Sequence, residues 1–329
     1  MFRKIAGFEA RYQMRSPVFW VAGAIFFLLS FAATTISNVH VGGVGNEWKN
    51  SPFAILQVSG VSGVFFLFAL IAFVANIIVR DDETGYGPIV RSTRITKFDY
   101  LFGRFAGAFG AGMVMALTIP LGILVGSFMP WVDPQRLGPF HAEYYAYDYF
   151  VLMLPTMFVM GAAFFALATA TRSMMATYVG AVAFLVGYLV LTVLFQKPQY
   201  DHIVGILEPF GMGALAEIVK YWTVSDRNTM LPPLADVMLI NRAIYIGLAF
   251  VLLGIAYVSF RFETRGAKAA RAEKKEAAVV RAARSGPLPA PHFDSGSIAV
   301  MAANRASCSS ATSSGAQRTS ISKRLRSFQ

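Results

Sequence analysis

Residues 80–97 read Arg-Asp-Asp-Glu-Thr-Gly-Tyr-Gly-Pro-Ile-Val-Arg-Ser-Thr-Arg-Ile-Thr-Lys, and they separate two long apolar runs, 53–79 and 98–129. The segment opens with three adjacent acids, turns through Gly-Tyr-Gly-Pro and continues into a basic amphipathic run. Charge this dense needs an aqueous environment, because ionised side chains are costly inside a bilayer. We therefore interpret the segment as a short surface helix at a membrane face.

The composition indicates an integral membrane protein. The 329 residues are 56% hydrophobic and 14% charged, with a mean hydropathy of +0.53. Soluble domains carry roughly 25% charged residues. The net charge of +11 is also typical of nucleic-acid-binding proteins. Here the bases flank apolar runs, so we expect a lipid bilayer as partner and no nucleic acid.

Hydropathy predicts an all-α polytopic protein with six transmembrane helices in a domain covering residues 18–262. About 20 apolar residues cross a hydrocarbon core of ~30 Å. The predicted spans are 18–37, 53–79, 99–129, 149–171, 174–195 and 241–262. Pro120 is expected to kink the third span, and a tight hairpin around Arg172-Ser173 joins the fourth and fifth.

The distribution of Lys and Arg predicts the orientation. Residues 1–16 hold four of these bases and residues 80–104 hold five, whereas residues 38–52 and 130–148 hold one each and residues 196–240 hold three. Cytoplasmic loops of membrane proteins carry the excess of Lys and Arg. The pattern predicts a multi-pass protein of the plasma (inner) membrane with both termini in the cytoplasm.

The two ends of the chain differ from the body. Residues 1–17 place Phe2, Ile5, Phe8 and Tyr12 at helical spacing, which predicts an amphipathic interface helix on the membrane surface. No cleavable signal peptide is expected. Residues 263–284 are basic and alanine-rich and predict a cytoplasmic helix, while residues 285–329 predict a disordered tail.

Signatures of enzymes and metal sites are absent from the sequence. No Gly-Lys-Ser or Gly-Lys-Thr occurs, so there is no P-loop, and ATP, if used, is held by another chain. Cys308 is the single cysteine, and His-Glu-x-x-His is absent. His40, His141 and His202 all fall on the predicted outer side, where we favour solvated loop residues over a joint metal site.

Two carboxylate pairs, Glu143 with Asp148 and Asp226 with Glu208, have residue types suited to acid–base chemistry. Nothing in their spacing separates them from ordinary loop charges. We therefore expect no catalytic, cofactor-binding or metal-binding residues in this chain. The deep positions of the predicted spans lack Asp, Glu, Lys and Arg, which argues against a proton relay.

Two sets of residues are candidates for a mechanical role. Gly103, Gly107 and Ala111 form a small-xxx-small pattern, which indicates a helix-packing surface within the subunit or with a second transmembrane half. Glycine is also simply common in membrane helices. The charged segment is either a solvated loop or a coupling helix that docks on an ATPase, with the candidate residues Asp81, Asp82, Glu83, Thr84, Gly85, Arg91 and Arg94.

Six short motifs occur in order along residues 1 to about 265. They are Phe2-Arg3 to Arg15-Ser16-Pro17, Arg80 to Gly85, Ser92-Thr93 leading to Tyr100-Leu101-Phe102-Gly103-Arg104, Glu208-Pro209-Phe210-Gly211, Tyr221-Trp222-Thr223 with Arg227-Asn228, and Asn241-Arg242. With these motifs the chain resembles permeases of the ABC-2 type exporter family. The branch is the one related to multicopper-enzyme-maturation permeases, some of which carry an M1-type aminopeptidase-like domain.

The resemblance implies an N-terminal interface helix, a coupling helix around 81–97 and outer helices between the fifth and sixth spans. It also implies two permease halves, the second being another copy or a paralogue, and two cytoplasmic ABC ATPase subunits. No zinc-peptidase motif and no further span follow residue 265, in contrast to the fused members. The expected function is therefore a non-enzymatic permease subunit for export. A membrane scaffold for an outer-side enzyme and a membrane enzyme are the alternatives.

Overall fold

The computed structural model describes residues 1–36, 47–83, 95–195 and 197–260, with residues 81–83 described only as helical backbone. This described part is helical, without β-strands. The predicted basic helix at 263–284 and the predicted tail at 285–329 lie outside the described residues. The helices are α1 (Phe2–Arg15), α2 (Pro17–Thr35), α3 (Pro52–Val74), α4 (Asn76–Glu83), α5 (Lys97–Ala116), α6 (Thr118–Ser127), α7 (Ala142–Tyr147), α8 (Leu154–Thr171), α9 (Met174–Leu194), α10 (Asp201–Leu207), α11 (Met212–Val219), α12 (Val224–Thr229) and α13 (Asp236–Ser259).

Six helical spans are long and apolar enough to cross a membrane, which confirms the predicted number in a multi-pass membrane protein. In chain order, spans 1 to 6 are Pro17–Thr35, Pro52–Arg80, Lys97–Ser127, Ala142–Thr171, Met174–Leu194 and Asp236–Ser259. The helices of spans 4 and 6 begin seven and five residues before the predicted starts, residues 149 and 241. Both spans begin with polar turns that a hydropathy window excludes, although the helical backbone runs through them.

Spans 2, 3 and 4 form the centre of the structure. They are 29, 31 and 30 residues long, which is about 43–47 Å at 1.5 Å per residue. Since the hydrocarbon core is ~30 Å thick, these spans tilt or extend beyond it. Between 56% and 67% of their apolar windows is buried, against 28% for spans 1 and 6 and 11% for span 5.

Local sequence explains where the long spans are interrupted. Span 3 changes from α5 to α6 at Leu117, one turn before Pro120, because a proline ring excludes the carbonyl four residues earlier from the helical ladder. Span 4 contains a π-helical turn, Asp148–Met153. The predicted hairpin between spans 4 and 5 is present: Arg172 has a left-handed backbone (φ 51°), and the Ser173 hydroxyl accepts from Ala176 N at 3.3 Å.

Span 1 packs lengthwise against the second half of span 3. Gly122 faces Phe27 and Ser30, and Gly126 faces Thr34. Both glycines and both hydroxyl residues are small, so the backbones approach closely, as is usual in membrane helix pairs. Ser30 and Thr34 also donate to carbonyl oxygens one turn earlier in their own helix, which leaves their hydroxyl protons satisfied in an apolar setting.

Substituting Gly122 tests this packing. A Cβ at Gly122 would overlap Ser30 Oγ and lie 2.5 Å from the Phe27 carbonyl oxygen, whereas a Cβ at Gly110 would meet nothing within 4 Å. We expect Gly122→Ala to lower the free energy of unfolding by about 1–3 kcal/mol and Gly110→Ala to leave it unchanged or slightly raised. Unfolding in detergent measures both, and equal stability of the two variants would refute the close contact.

Candidate functional site

Helix α1 lies along the first half of span 3. A Cβ at Gly103 would be 3.2 Å from both the Ile5 side chain and the Phe2 carbonyl oxygen. One turn further, a Cβ at Gly107 would overlap the Ala6 carbonyl oxygen and lie 2.8 Å from Glu9 Cβ. Advancing four residues on α5 therefore advances about four on α1, so the two helices run parallel.

The structure thus gives the small-residue pattern of span 3 an internal partner. Gly103 and Gly107 contact α1, and Ala111 is buried. Sequence patterning indicated a close helix approach but could not identify the partner. The contact excludes larger side chains at Gly103 and Gly107 without displacement of α1, because backbone atoms of α1 occupy the space.

The buried face of α1 is partly polar. Glu9 and Gln13 are 0% and 3% exposed. Glu9 Oε2 lies 2.9 Å from Arg80 Nη2 at the end of span 2. Gln13 Nε2 donates to Glu9 Oε1 at 3.0 Å and to the Phe73 carbonyl oxygen at 3.3 Å. The Arg80 guanidinium also lies 4.2 Å from the centre of the Tyr12 ring.

Span 3 joins the same cluster through Arg104. Its Nη1 donates to the Ile77 carbonyl oxygen at 3.2 Å, and its guanidinium lies 5.0 Å from the Tyr100 ring centre. Ile77 is near the end of span 2, so this hydrogen bond ties the start of span 3 to the end of span 2. Below Arg104, the Thr96 hydroxyl accepts from Asp99 N at 3.1 Å and caps the start of α5. We call Glu9, Tyr12, Gln13, Arg80 and Arg104 the polar junction.

Electrostatics favour a single position of α1. Glu9 is inaccessible to solvent, so its carboxylate depends on Arg80 and Gln13 for compensation. Leaving one member of a buried ion pair without the other typically costs about 3–5 kcal/mol. Moving α1 away from spans 2 and 3 would break this pair and also expose the glycine surface. The polar junction therefore holds α1, span 2 and span 3 together at one end of the bundle.

The charged segment begins where the polar junction ends. Asp81, Asp82 and Glu83 continue α4 directly from Arg80, with only their helical backbone described. Thr84, Gly85, Arg91 and Arg94 lie outside the described residues. The proposed coupling segment is thus attached on one side to Arg80 of span 2 and on the other to the capped start of span 3.

A second polar cluster lies at the opposite end of the bundle, around Asn241 and Arg242. Asn241 Nδ2 lies 2.9 Å from each of three carbonyl oxygens at the end of α10, those of Gly205, Ile206 and Glu208. Glu208 in turn accepts from Phe210 N and Gly213 N at 3.1 Å each. This arrangement joins α10 and α11 to span 6.

Sequence patterning did not identify Arg242 as a charge inside a span. It is 3% exposed and donates through Nη1 to Thr156 Oγ1 at 2.8 Å and to the Leu152 carbonyl oxygen at 3.3 Å. Its guanidinium also fills the space beside Gly211, whose φ of +81° is accessible to glycine at low cost. The position was assigned to a span boundary, but span 6 begins at Asp236 and places Arg242 nearly two turns inside.

Asp148 was likewise assigned to the boundary of span 4 and lies inside it. The carboxylate is fully buried, and Oδ2 accepts from Ser59 of span 2 at 2.7 Å. Asp148 also starts the π-helical turn. Asp148 and Arg242 thus lie within the first two turns of spans 4 and 6, because the helices extend further than the apolar runs.

The other carboxylates considered for acid–base chemistry have separate structural partners. Glu143 is exposed and lies 3.5 Å from His141. Asp226 forms a capping box with Thr223 at the start of α12, and these hydrogen bonds hold the pKa of Asp226 below its usual value. Glu208 caps α11 as described above.

The histidines are equally dispersed where the structure describes them. His40 lies outside the described residues, and His202 Nδ1 is 2.9 Å from Glu217 Oε1. Within the described ranges no group of three or more His, Cys, Asp or Glu side chains is arranged to hold a metal ion.

Comparison of the chain with models of known protein families and with curated proteins gave no match. The geometry of the two polar clusters therefore carries the functional argument.

A double-mutant cycle tests the polar junction. We expect Arg80→Gln to lower the free energy of unfolding by about 3–5 kcal/mol, because it leaves the fully buried Glu9 carboxylate without its cation. Glu9→Gln should cost less, because the Arg80 side chain is partly exposed and also contacts the Tyr12 ring. The double variant should lose less stability than the sum of the two single losses, since it contains neither charge of the pair. Unfolding in detergent measures all three, and strictly additive losses would contradict a direct pair.

Asn241 offers an independent test at the other end. Asn241→Ala removes the donor to three carbonyl oxygens and should cost about 1–3 kcal/mol. Asn241→Asp keeps the shape but directs a carboxylate at the same carbonyls, so we expect a larger loss than for alanine. Limited proteolysis of residues 201–235 alongside unfolding would report the release of α10. An aspartate variant as stable as the wild type would contradict the assigned contacts.

Proposed function

We propose that this chain is the transmembrane subunit of an ATP-driven exporter of the ABC-2 type, working with a separate cytoplasmic ATPase. The polar junction is the observation that carries the proposal. It joins α1, the end of span 2 and the start of span 3 into one unit, and the charged segment connects the last two of these along the chain. A force applied to that segment reaches all three helices together.

The proposed force comes from an ATPase that closes when it binds ATP. The acids at 81–83 and the bases at 91 and 94 supply charges of both signs for a complementary surface. Electrostatic complementarity of this kind favours one partner and one register. Because Arg80 is held by Glu9 and Arg104 is held by the Ile77 carbonyl oxygen, span 2 and span 3 would move with the segment rather than around it.

The breaks in the long spans provide points where that movement can be absorbed. Span 2 changes from α3 to α4 at Ala75, and span 3 changes from α5 to α6 at Leu117. The break in span 3 lies beyond the polar junction, whereas in span 2 the junction reaches across the break, since Gln13 donates to the Phe73 carbonyl oxygen. Hinges of this kind commonly lie at the ends of helical elements. Tilting the α4–α5 end would then alter the packing of spans 2, 3 and 4, which line the centre of the subunit.

This proposal places the charged segment and both termini in the cytoplasm, in agreement with the Lys and Arg distribution. It also requires a second transmembrane half, supplied by another copy or a paralogue. Span 5 is the least covered span in the described structure, with 11% of its apolar window buried, and such a surface is available to lipid or to that second half.

Affinity capture with charge-reversed protein tests the docking surface. We expect the solubilised wild type to recover an ABC ATPase, and Asp82→Lys/Glu83→Lys to lose it, because the reversal replaces attraction by repulsion at the contact. The matched control is Glu143→Lys/Asp201→Lys, which reverses two acids at the opposite end of the bundle, where surface ion pairs contribute little.

Recovery of the ATPase by the control but not by the reversed segment would support the proposal. Equal recovery from both variants would remove the segment as the docking surface. If intact protein recovers no ATPase in several mild detergents, the exporter function itself is wrong.

A further inference from the structure

A groove lies at the bend between α1 and α2. The chain leaves α1 at Ser16, whose extended backbone (φ −67°, ψ 135°) separates the two helices, and Pro17 starts α2. The groove has a volume of about 370 Å³. Its lining consists of Phe8, Arg11, Tyr12, Arg15, Ser16 and Pro17. We call it the elbow groove.

The elbow groove is positively charged. Arg11 and Arg15 are four residues apart, so they project from the same face of α1. Both are exposed, and neither makes an ion pair or hydrogen bond to another described residue. The one acid of α1, Glu9, is buried on the opposite side and paired with Arg80. Two guanidinium groups thus face the groove without a neutralising carboxylate from their own helix.

A bilayer core centred on span 1 would place the elbow groove at the level of the lipid headgroups. Span 1 has 19 residues, or about 28 Å, which matches the ~30 Å hydrocarbon core. Its first residues turn apolar side chains outward, with Val18 54% and Trp20 67% exposed. Tryptophan at this depth is typical of the interface between hydrocarbon and water. The arginines precede Pro17 and therefore lie just outside the core.

The remaining lining fits the same boundary. The Phe8 and Tyr12 rings stack with centroids 6.5 Å apart and are 63% and 46% exposed. Aromatic rings with one solvated edge favour the headgroup level. The hydroxyl group of Ser16 adds a hydrogen-bond donor between the arginines and the start of span 1. A bound molecule would therefore meet positive charge at one end of the groove and the apolar surface of α2 at the other.

We propose that the elbow groove binds the phosphate headgroup of an anionic phospholipid, with the acyl chains lying along the exposed face of span 1. Two arginines suit this role because guanidinium groups donate paired hydrogen bonds to phosphate oxygens. The proposal does not depend on the exporter function. A bound lipid would fix the outer face of α1, whose inner face carries Glu9 of the polar junction, and so would link lipid composition to the position of that helix.

The test compares lipid binding by full-length variants of equal charge. Native mass spectrometry of the detergent-solubilised protein would be titrated with phosphatidylglycerol and, separately, with phosphatidylcholine. We expect Arg11→Gln/Arg15→Gln to bind phosphatidylglycerol roughly tenfold to thirtyfold more weakly, because the charge-assisted hydrogen bonds to the phosphate are lost. Binding of phosphatidylcholine should be weak and unchanged.

The matched control is Arg3→Gln/Lys4→Gln, which removes two exposed positive charges from the same helix outside the groove. It should lower phosphatidylglycerol binding by less than about threefold, since only general attraction is lost. Thermal unfolding of both variants verifies that they remain folded. Arg11→Lys/Arg15→Lys keeps the charge but not the paired donors and should give an intermediate loss.

Three results would overturn the proposal. Equal losses of phosphatidylglycerol affinity in the groove variant and the control would show that only the overall positive charge of α1 matters. Equal binding of phosphatidylglycerol and phosphatidylcholine by the wild type would remove the anionic headgroup as ligand. Displacement of the lipid by inorganic phosphate at equal concentration would identify a free-phosphate site, because the acyl chains would then add no affinity.

Discussion

Close approach of backbones along span 3 is the constraint on which the rest of the structure depends. Gly103 and Gly107 admit α1, and Gly122 and Gly126 admit span 1, so the first 35 residues of the chain lie on one glycine-lined surface. Only this proximity brings Glu9 within reach of Arg80. The ion pair then fixes the register of α1 along span 3, which van der Waals packing of small residues alone would determine less precisely. Packing and charge thus define the position of α1 together.

Sequence patterning predicted the features that depend on local chemistry. Six spans, the Arg172-Ser173 hairpin and an interruption near Pro120 follow from apolar length and from backbone chemistry. The starts of spans 4 and 6 were misplaced because hydropathy measures side chains, whereas a helix continues through any residues whose backbone remains paired. Asp148 and Arg242 became visible as buried charges only once those helices were extended.

The face of α1 shows a further limit of patterning. Phe2, Ile5, Phe8 and Tyr12 were grouped as one apolar side, yet Phe8 and Tyr12 are exposed, and Glu9 and Gln13 are buried. Periodicity indicates that a helix has two faces, but the identity of its neighbour decides which face is covered. Here the neighbour offers an arginine and a glycine surface, so the covered face is the one with a carboxylate and short side chains. A contact between residues this far apart in the sequence leaves no signal in the periodicity of a single helix.

The parallel arrangement of α1 and span 3 also has a consequence for biogenesis. Glu9 leaves the ribosome long before its partners, since Arg80 follows 71 residues later and Gly107 about a hundred. At roughly 5–20 residues per second, the interval before the glycine surface has been synthesised is about 5–20 seconds. During that time α1 has no groove to enter, and its aromatic and basic side chains are the ones suited to hold it at the membrane surface. Insertion of span 3 would therefore be the step that draws the N-terminus into the bundle.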